Sequence, residues 1–464
     1  MNSLTQVIAA VSTPPGKGGV AIIRMSGDGA FEIAEKAFKP TSGKKISDYP
    51  SRTQIYGHII YNEEKIDDVL LTRFPAPHSY TGEDTVEVSC HGGILVTRTV
   101  LETLLTLGAR VAEAGEFTRR AFINGRLSLT EAEAISDLLE AKSRDQIRLS
   151  SDTSRAKLSG KIGEIRGSLV ELMSSIYARI DYPDEDLGDF DDDEVMSRLS
   201  SLIDKTELLI STYRTGRAVS EGVRTVICGK PNVGKSSLYN ILAGEDAAIV
   251  TDIEGTTRDV LTRTVSLGRV MLNIADTAGI RCDEKADAVE RIGIEKSREE
   301  IEKSELLFAI FDISREFDKE DELIIGEIQK SKSVKIAILN KSDAPKKFDE
   351  KMLEGVFDRT LYASAKERDS ELLGELSSIC NSLFTDEKIK IGEDAVISSA
   401  RQHAALVRAR DFILIAKDNL SLGFSQDAVS TDVERALGAI SELDGRAVSE
   451  EIVADIFSKF CVGK

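Results

Sequence analysis

The sequence predicts a multidomain α/β protein in which an α+β module leads and a discontinuous helical domain is interrupted by an inserted parallel-sheet domain. Three observations predict it. The chain has 464 residues, more than one hydrophobic core organises. Its hydrophobic texture changes at about residues 120, 217 and 384. The stretch 218–384 alternates short continuous apolar runs with helical segments, as a sheet covered on both faces requires.

Residues 1–120 alternate β-rich runs with turn signals. "QVIAAVS" and "GVAIIRMSG" flank Pro-Pro-Gly and Gly-Gly punctuation, "DDVLLTRF" and "DTVEVSC" follow, and "GGILVTRTVLETLLTLGA" reads as a helix. Residues 121–217 form the first helical half. Thr130 with Glu133 is expected to make a capping box, and Ile135, Leu138, Leu139 and Lys142 to share one helix face. A second amphipathic stretch is "EIRGSLVELMSSIYARI". Strands are expected in 218–384 at "RTVICG", "VMLNIADTAG", "ELLFAIFDIS", "VKIAILNKSD" and "TLYASA". Residues 385–464 return to helix in "ARQHAALVRARDFILIAKDNL" and "EEIVADIFSKF".

Composition narrows the function classes. Hydrophobic residues make up 41% and charged residues 30% of the chain, ordinary for a globular protein. No apolar run reaches membrane-span length, so no membrane role is expected. The start, "MNSLTQVIAAVSTPPGKGG", lacks the basic lead and apolar core of a signal peptide. Cys90, Cys228, Cys282, Cys380 and Cys461 are scattered without C-x-x-C pairs, which points to a reducing cytoplasm rather than a disulfide or zinc framework. The net charge of −19 argues against broad autonomous nucleic-acid binding. Residues 183–194, "PDEDLGDFDDDE", carry eight acidic side chains and read as a solvated loop or an acidic flap for a basic partner. The ending Cys461-Val462-Gly463-Lys464 has C-a-a-X spacing, but Gly463 and Lys464 fit prenylation poorly.

"GKPNVGKSS", 229–237, has the phosphate-loop spacing G-x-x-x-x-G-K-[ST] between a strand and a helix. Backbone N–H groups from Asn232, Val233 and Gly234 to Ser237 would cradle phosphate oxygens, Lys235 would reach the β/γ phosphates, and Ser236 would ligate magnesium. "DTAG" follows: Asp276 for magnesium through water, then Thr277, Ala278 and Gly279 toward the γ-phosphate. In "NKSD", Asn340, Lys341, Ser342 and Asp343, the last carboxylate accepts from two N–H donors of guanine that adenine lacks. "SAK", Ser364, Ala365 and Lys366, offers a backbone N–H to the guanine carbonyl. These four motifs in order indicate a GTP-binding, P-loop (Ras-like) G domain. Between the first two lies "AIVTDIEGTTRD", with Thr251, Asp252, Ile253, Glu254, Gly255, Thr256 and Thr257 on a loop that γ-phosphate orders. Ile280 stands where small GTPases place a water-orienting Gln. Glu290 is a candidate replacement, and Asn232 a candidate ligand for a monovalent cation beside the phosphates.

Taken together, Asn232, "GTTRD", Ile280, "TPPGKGGVAIIRMSG", "SYTGEDTVEVSCHGG", "GEFTRRAFINGRLSLTEAEAI" and "FCVGK" resemble the MnmE (TrmE) tRNA-modification GTPases over essentially the whole chain. The resemblance implies an N-terminal tetrahydrofolate-binding and dimerisation domain. It also implies a homodimer that works with the FAD-dependent MnmG (GidA) protein on C5 of the tRNA wobble uridine. The added aminomethyl or carboxymethylaminomethyl group would draw on a folate one-carbon unit such as 5-formyl-tetrahydrofolate, and FAD would enter through the partner alone. It implies potassium-dependent G-domain association, with potassium held by Asn232, Thr251, Ile253 and Thr256 and magnesium by Ser236 and Thr257. Glu290 would be catalytic. Folate contacts map to Arg24, Glu87, Arg126 and Lys464. Cys461 would lie beside that site as nucleophile, proton donor or packing group. The alternatives are a GTP-dependent ribosome-assembly factor of the Era or Der type and a self-contained folate aminomethyltransferase. A single G domain, no following GXXG signal and the acidic charge weigh against the first, and the complete nucleotide motif set against the second.

Overall fold

A computed structural model describes residues 6–181, 191–244, 262–275, 298–364, 370–447 and 449–464. The chain divides into two compact units, one formed by residues up to Ser136 together with Gly438–Lys464, the other by Asp137–Leu437.

In the first unit the strands are β1 (Ile8–Val11), β2 (Val20–Ser26), β3 (Phe38–Pro40), β4 (Gln54–Tyr61), β5 (Glu64–Phe74), β6 (Thr85–His91) and β7 (Arg110–Val111). They form one sheet in the order β3-β4-β5-β6-β2-β1-β7, antiparallel except where β7 joins β1. Period-two alternation sets the faces. Ala21, Ile23 and Met25 of β2 and Val86, Val88 and Cys90 of β6 turn inward, onto a core shared with α1 (Ala30–Ala37) and α2 (Ile94–Thr106). Burying each of these larger side chains contributes about 2 kcal/mol. Arg24 and Glu87, one residue out of phase, therefore stand on the opposite face and directly across from each other.

Three helices complete this unit: α3 (Glu116–Ile123), α4 (Leu129–Glu140), and a helix near the end of the chain, Glu450–Ser458. Leu129 and Ala132 pack with Val453, Phe457 and Phe460. The capping box here belongs to Ser128 and Glu131, not Thr130 and Glu133. Ser128 N–H donates to Glu131 Oε2 at 2.7 Å, and Glu131 N–H donates to Ser128 Oγ at 3.2 Å. Thr130 is already inside the helix and donates its hydroxyl to the Leu443 carbonyl at 2.7 Å. The expected apolar face also ends early. Leu138 and Leu139 are exposed, and Lys142 lies beyond the last turn.

The second unit holds a six-stranded sheet: β8 (Val223–Cys228), β9 (Thr262–Leu267), β10 (Val270–Ala275), β11 (Leu306–Asp312), β12 (Val334–Asn340) and β13 (Arg359–Ala363). Its order is β13-β12-β11-β8-β10-β9, parallel except for β9. The five strands expected from sequence all pair in parallel, and β9, which was not expected, is antiparallel for a local reason. Gly268, at φ 62°, and Arg269 join β9 to β10 in a two-residue turn, far too short for a parallel crossover. Cores on both faces explain the continuous apolar runs. Helices α5 (Arg144–Leu149), α6 (Asp152–Asp181), α7 (Asp192–Ser211), α8 (Tyr213–Ser220) and α9 (Lys235–Ala243) precede or follow β8. After these come α10 (Lys319–Lys330), α11 (Ser370–Phe384), α12 (Ala400–Ser421), α13 (Gln426–Ser441) and α14, the Glu450–Ser458 helix of the first unit.

The buried residues of α6 recur at 158, 162, 165, 169, 172 and 176, those of α7 at 195, 199, 202, 206 and 209, and those of α12 at 406, 409, 413, 416 and 420. That alternation of three and four places one stripe on each helix, and α7 packs against both α6 and α12 along it. The last four acidic residues of the run 183–194 open α7, where Asp191 caps the helix by accepting from Glu194 N–H at 2.9 Å. The negative charges lie at the positive end of the helix dipole. Residues 183–190 lie outside the described residues. No described helix is long and apolar enough to cross a membrane.

Candidate functional site

The phosphate loop runs from Gly229 to Lys235, between β8 and α9. Gly234, at φ 112°, is the N-cap of α9 and supplies no side-chain cap, so the helix's first N–H groups point into the loop. Asn232 has φ 63° and is exposed, as is Ser236. Lys235 Nζ donates to the carbonyl oxygens of Gly229 at 2.9 Å and Lys230 at 2.8 Å. Beneath the loop, full burial pushes the Cys228 thiol up to about 12, which leaves it inert as a nucleophile.

The base-recognition motif comes to the same end of the sheet because β8, β11, β12 and β13 run parallel. Asn340, at the end of β12, donates Nδ2–H to the Val233 carbonyl at 2.7 Å, fastening the motif to the phosphate loop. Ser342 N–H donates to Ala363 O at 3.0 Å, and Ser364 Oγ donates to Asp343 Oδ1 at 3.2 Å. Asp343 is thereby oriented beside the start of "SAK". Asp312, which sequence reading passed over, proves to be a buried part of this site. It accepts from Lys341 Nζ at 2.5 Å, from Ser314 Oγ at 2.6 Å and from Ser314 N–H at 3.0 Å. Burial would raise its pKa, but the Lys341 and Ser314 hydrogen bonds outweigh that and hold it below the ordinary carboxylate value. The overlooked signal was an acid closing an otherwise continuous apolar strand.

Thr251, Asp252, Ile253, Glu254, Gly255, Thr256, Thr257, Asp276, Thr277, Ala278, Gly279, Ile280, Glu290, Ala365 and Lys366 lie outside the described residues, as does Cys282.

A separate constellation occupies the first unit. Arg24 Nε donates to Glu87 Oε1 at 2.9 Å and its Nη2 lies 2.8 Å from the same oxygen, with both side chains partly exposed. The guanidinium also sits 5.3 Å from the Tyr80 ring centre and 5.8 Å from that of Phe117. The end of the chain folds back here. Phe117 N–H donates to Lys464 O at 3.2 Å, Ser12 Oγ donates to Gly463 O at 3.1 Å, and Ala114 forms a bridge with Val462. The structure thus brings Arg24, which holds Glu87, and the Lys464 carbonyl to Phe117. Arg126 stands past the end of α3, against Gly82 of the turn that follows Tyr80. Cys461 is exposed; its carbonyl accepts from Gly115 N–H at 3.4 Å. A buried network supports the arrangement. Arg120 joins Glu83 at 3.0 Å and Glu116 at 3.0 Å, and Arg110 pairs with Glu116 as well. A partly exposed guanidinium and carboxylate beside two aromatic rings suit a ligand with a carboxylate tail and a planar, N–H-bearing ring.

A phosphate-loop sequence and an Asn-Lys-Ser-Asp motif, joined at one end of a mostly parallel sheet, define a P-loop guanine-nucleotide protein. Residues 7–126 match the family described as GTP-binding protein TrmE N-terminus, and residues 129–461 match the MnmE helical domain. The chain is 39% identical over 459 residues to the tRNA modification GTPase MnmE of Thermoanaerobacter sp. (strain X514), covering 98% of this chain and 99% of that one. Identity is 38% to the protein of that name from Clostridioides difficile (strain 630), over 99% and 100% of the two chains, and 40% to that of Heliobacterium modesticaldum, over 98% and 99%. The chain belongs to the MnmE family of tRNA modification GTPases. Among solved structures, Aquifex aeolicus Era bound to GDP and aluminium fluoride matches 41% of this chain and 66% of its own at 22% identity and TM-score 0.26. The G domain of the Thermotoga maritima FeoB iron transporter matches 33% of this chain and 96% of its own, also at 22% identity and TM-score 0.26.

Proposed function

We propose that this protein hydrolyses GTP to drive modification of tRNA at C5 of the wobble uridine. The observation that carries the reading is the joining of the phosphate loop to the guanine motif through Asn340 and Val233, in a chain 38–40% identical to MnmE proteins along its length. Lys235 leaves its two carbonyl partners for the phosphates, Ser236 and Thr257 hold magnesium, and Asp343 reads guanine. Magnesium offsets the charge that builds on the phosphate oxygens. With Ile280 unable to orient water, Glu290 takes that task. Potassium on Asn232, Thr251, Ile253 and Thr256 supplies positive charge to the same region.

The proposal extends to the first unit, where Arg24, Glu87, Arg126 and Lys464 bind a tetrahydrofolate one-carbon donor with Cys461 alongside. The working form is a cytoplasmic homodimer that acts on tRNA with the FAD-dependent MnmG protein. The proposed domains are 1–120, 121–217 with 385–464, and the G domain at 218–384. GTP turnover in potassium chloride against sodium chloride at equal ionic strength tests the mechanism. Activation of about tenfold or more in potassium, lost in Asn232→Ala, is the expected result (about 1.4 kcal/mol of barrier). Equal rates in the two salts would remove potassium and Asn232 from it.

A further inference from the structure

Lys230, the second residue of the phosphate loop, sends its side chain away from the phosphate cradle. Its Nζ lies 2.8 Å from Asp318 Oδ2 and 2.7 Å from Asp321 Oδ2, with Lys230 and Asp321 both buried. The carboxylates are themselves fixed. Asp318 caps α10, accepting on Oδ1 from Glu320 N–H at 2.9 Å and Asp321 N–H at 3.2 Å, and Asp321 Oδ2 accepts from Asp318 N–H at 3.2 Å.

We infer that the Lys230–Asp318–Asp321 clamp is a positioning device that holds the phosphate loop in its nucleotide-binding shape once Lys235 has turned to the phosphates. The loop backbone is unusual, with Gly229 at φ 141°, Asn232 at 63° and Gly234 at 112°. Glycine takes such angles freely, but Asn232 does not, and its left-handed conformation persists where surrounding contacts hold it. A Cβ at Gly229 would lie 2.5 Å from Ile310 O, so that end is pressed against β11, and Asn340 holds the other end at Val233. Between them, the Lys235 amine braces the carbonyls of Gly229 and Lys230. Binding a nucleotide takes that amine away. Among the described residues, the Lys230 side chain then remains as a tie for residues 230–232, which include Asn232.

The inference rests on the guanine-nucleotide reading and concerns affinity rather than chemistry. A preorganised loop favours ground and transition states alike, so its loss raises KM and leaves kcat nearly unchanged. Replacing Lys230 alone would strand two carboxylates, one of them buried, and endanger the fold. The test is therefore Lys230→Met combined with Asp318→Asn and Asp321→Asn, which removes all three charges and keeps a capping residue. Fluorescent GDP titration, steady-state GTP kinetics and melting temperature are compared with wild type and with Lys230→Arg. The expected result for the triple variant is about tenfold weaker GDP binding and a similar rise in KM with kcat within twofold, while Lys230→Arg, which keeps the charge pair, binds GDP as wild type does. A folded triple variant that binds GDP within twofold of wild type, or that loses kcat at constant KM, overturns the inference. Should the triple variant not fold, Asp318→Asn alone decides: about threefold weaker GDP binding supports the clamp and unchanged binding refutes it. A wild-type protein that binds no GDP would instead sink the underlying nucleotide reading.

Discussion

At the scale of single residues, the guanine site was legible where a motif fixes both residue type and spacing. Gly229 to Ser236 and Asn340 to Asp343 could be placed from sequence because phosphate and guanine chemistry leave few alternatives at those positions. Asp312 was not legible, because its partner Lys341 comes to it only through the parallel pairing of β11 with β12. The residues proposed to bind folate could be mapped only by family resemblance, since each is a lone charge in the sequence. Asp312→Asn should destabilise the second unit by about 2 kcal/mol, the usual cost of losing a charged hydrogen bond, and weaken GDP binding by releasing Lys341. Urea unfolding and GDP titration check both effects. The pH dependence follows from the sign of the shift. A carboxyl held below its unfolded value of about 3.9 contributes in full above that pH and is lost as pH falls through the folded value. Asp312→Asn should therefore lower stability at pH 7 and show a shallower acid limb than wild type.

At the scale of elements, continuous apolar runs revealed β8 and β10 to β13, whereas β9, "TRTVSL", alternates and escaped notice. Helix ends were harder to read. Both Thr130–Glu133 and Ser128–Glu131 satisfy the capping pattern, and the Leu443 carbonyl, remote in sequence, claims the Thr130 hydroxyl. Junctions between helices are equally hidden. His403 of α12 stacks on Tyr213 of α8 with ring centres 4.2 Å apart. Burial first, and then the nearby Arg410 charge, lowers its pKa below the ordinary histidine value. The neutral ring is favoured in the fold, so this contribution is complete above the unfolded value of about 6.5 and declines as pH falls through the folded one. Melting temperature should drop between pH 7.5 and 5.5, and His403→Phe, which keeps a stacking ring, should reduce that drop. An identical pH profile in the variant would remove His403 as its source.

At the scale of the whole molecule, the alternation of textures was legible from periodicity, whereas the return of the last residues to the first unit could be expected only through the family resemblance, because periodicity carries no long-range pairing information. Deleting residues 461–464 removes the Ala114–Val462 bridge and strips the Phe117 and Gly115 N–H groups of their acceptors. The expected cost is about 2 kcal/mol in the first unit, from a few partly exposed hydrogen bonds, together with weaker binding of 5-formyl-tetrahydrofolate. Faster amide exchange across residues 112–123 would register the first effect, and protection equal to that of the full chain would show that the tail braces nothing. The split of that unit also bears on synthesis. Residues 137–437 must be translated before 438–464 emerge, an interval of about 15–60 s at about 5–20 residues per second. Throughout that wait Leu129, Ala132 and Phe122 lack Val453, Phe457 and Phe460 to cover them. The earliest-made part of this protein is thus among the last to be finished, and its exposed apolar face during translation is where a nascent-chain chaperone would be expected to bind.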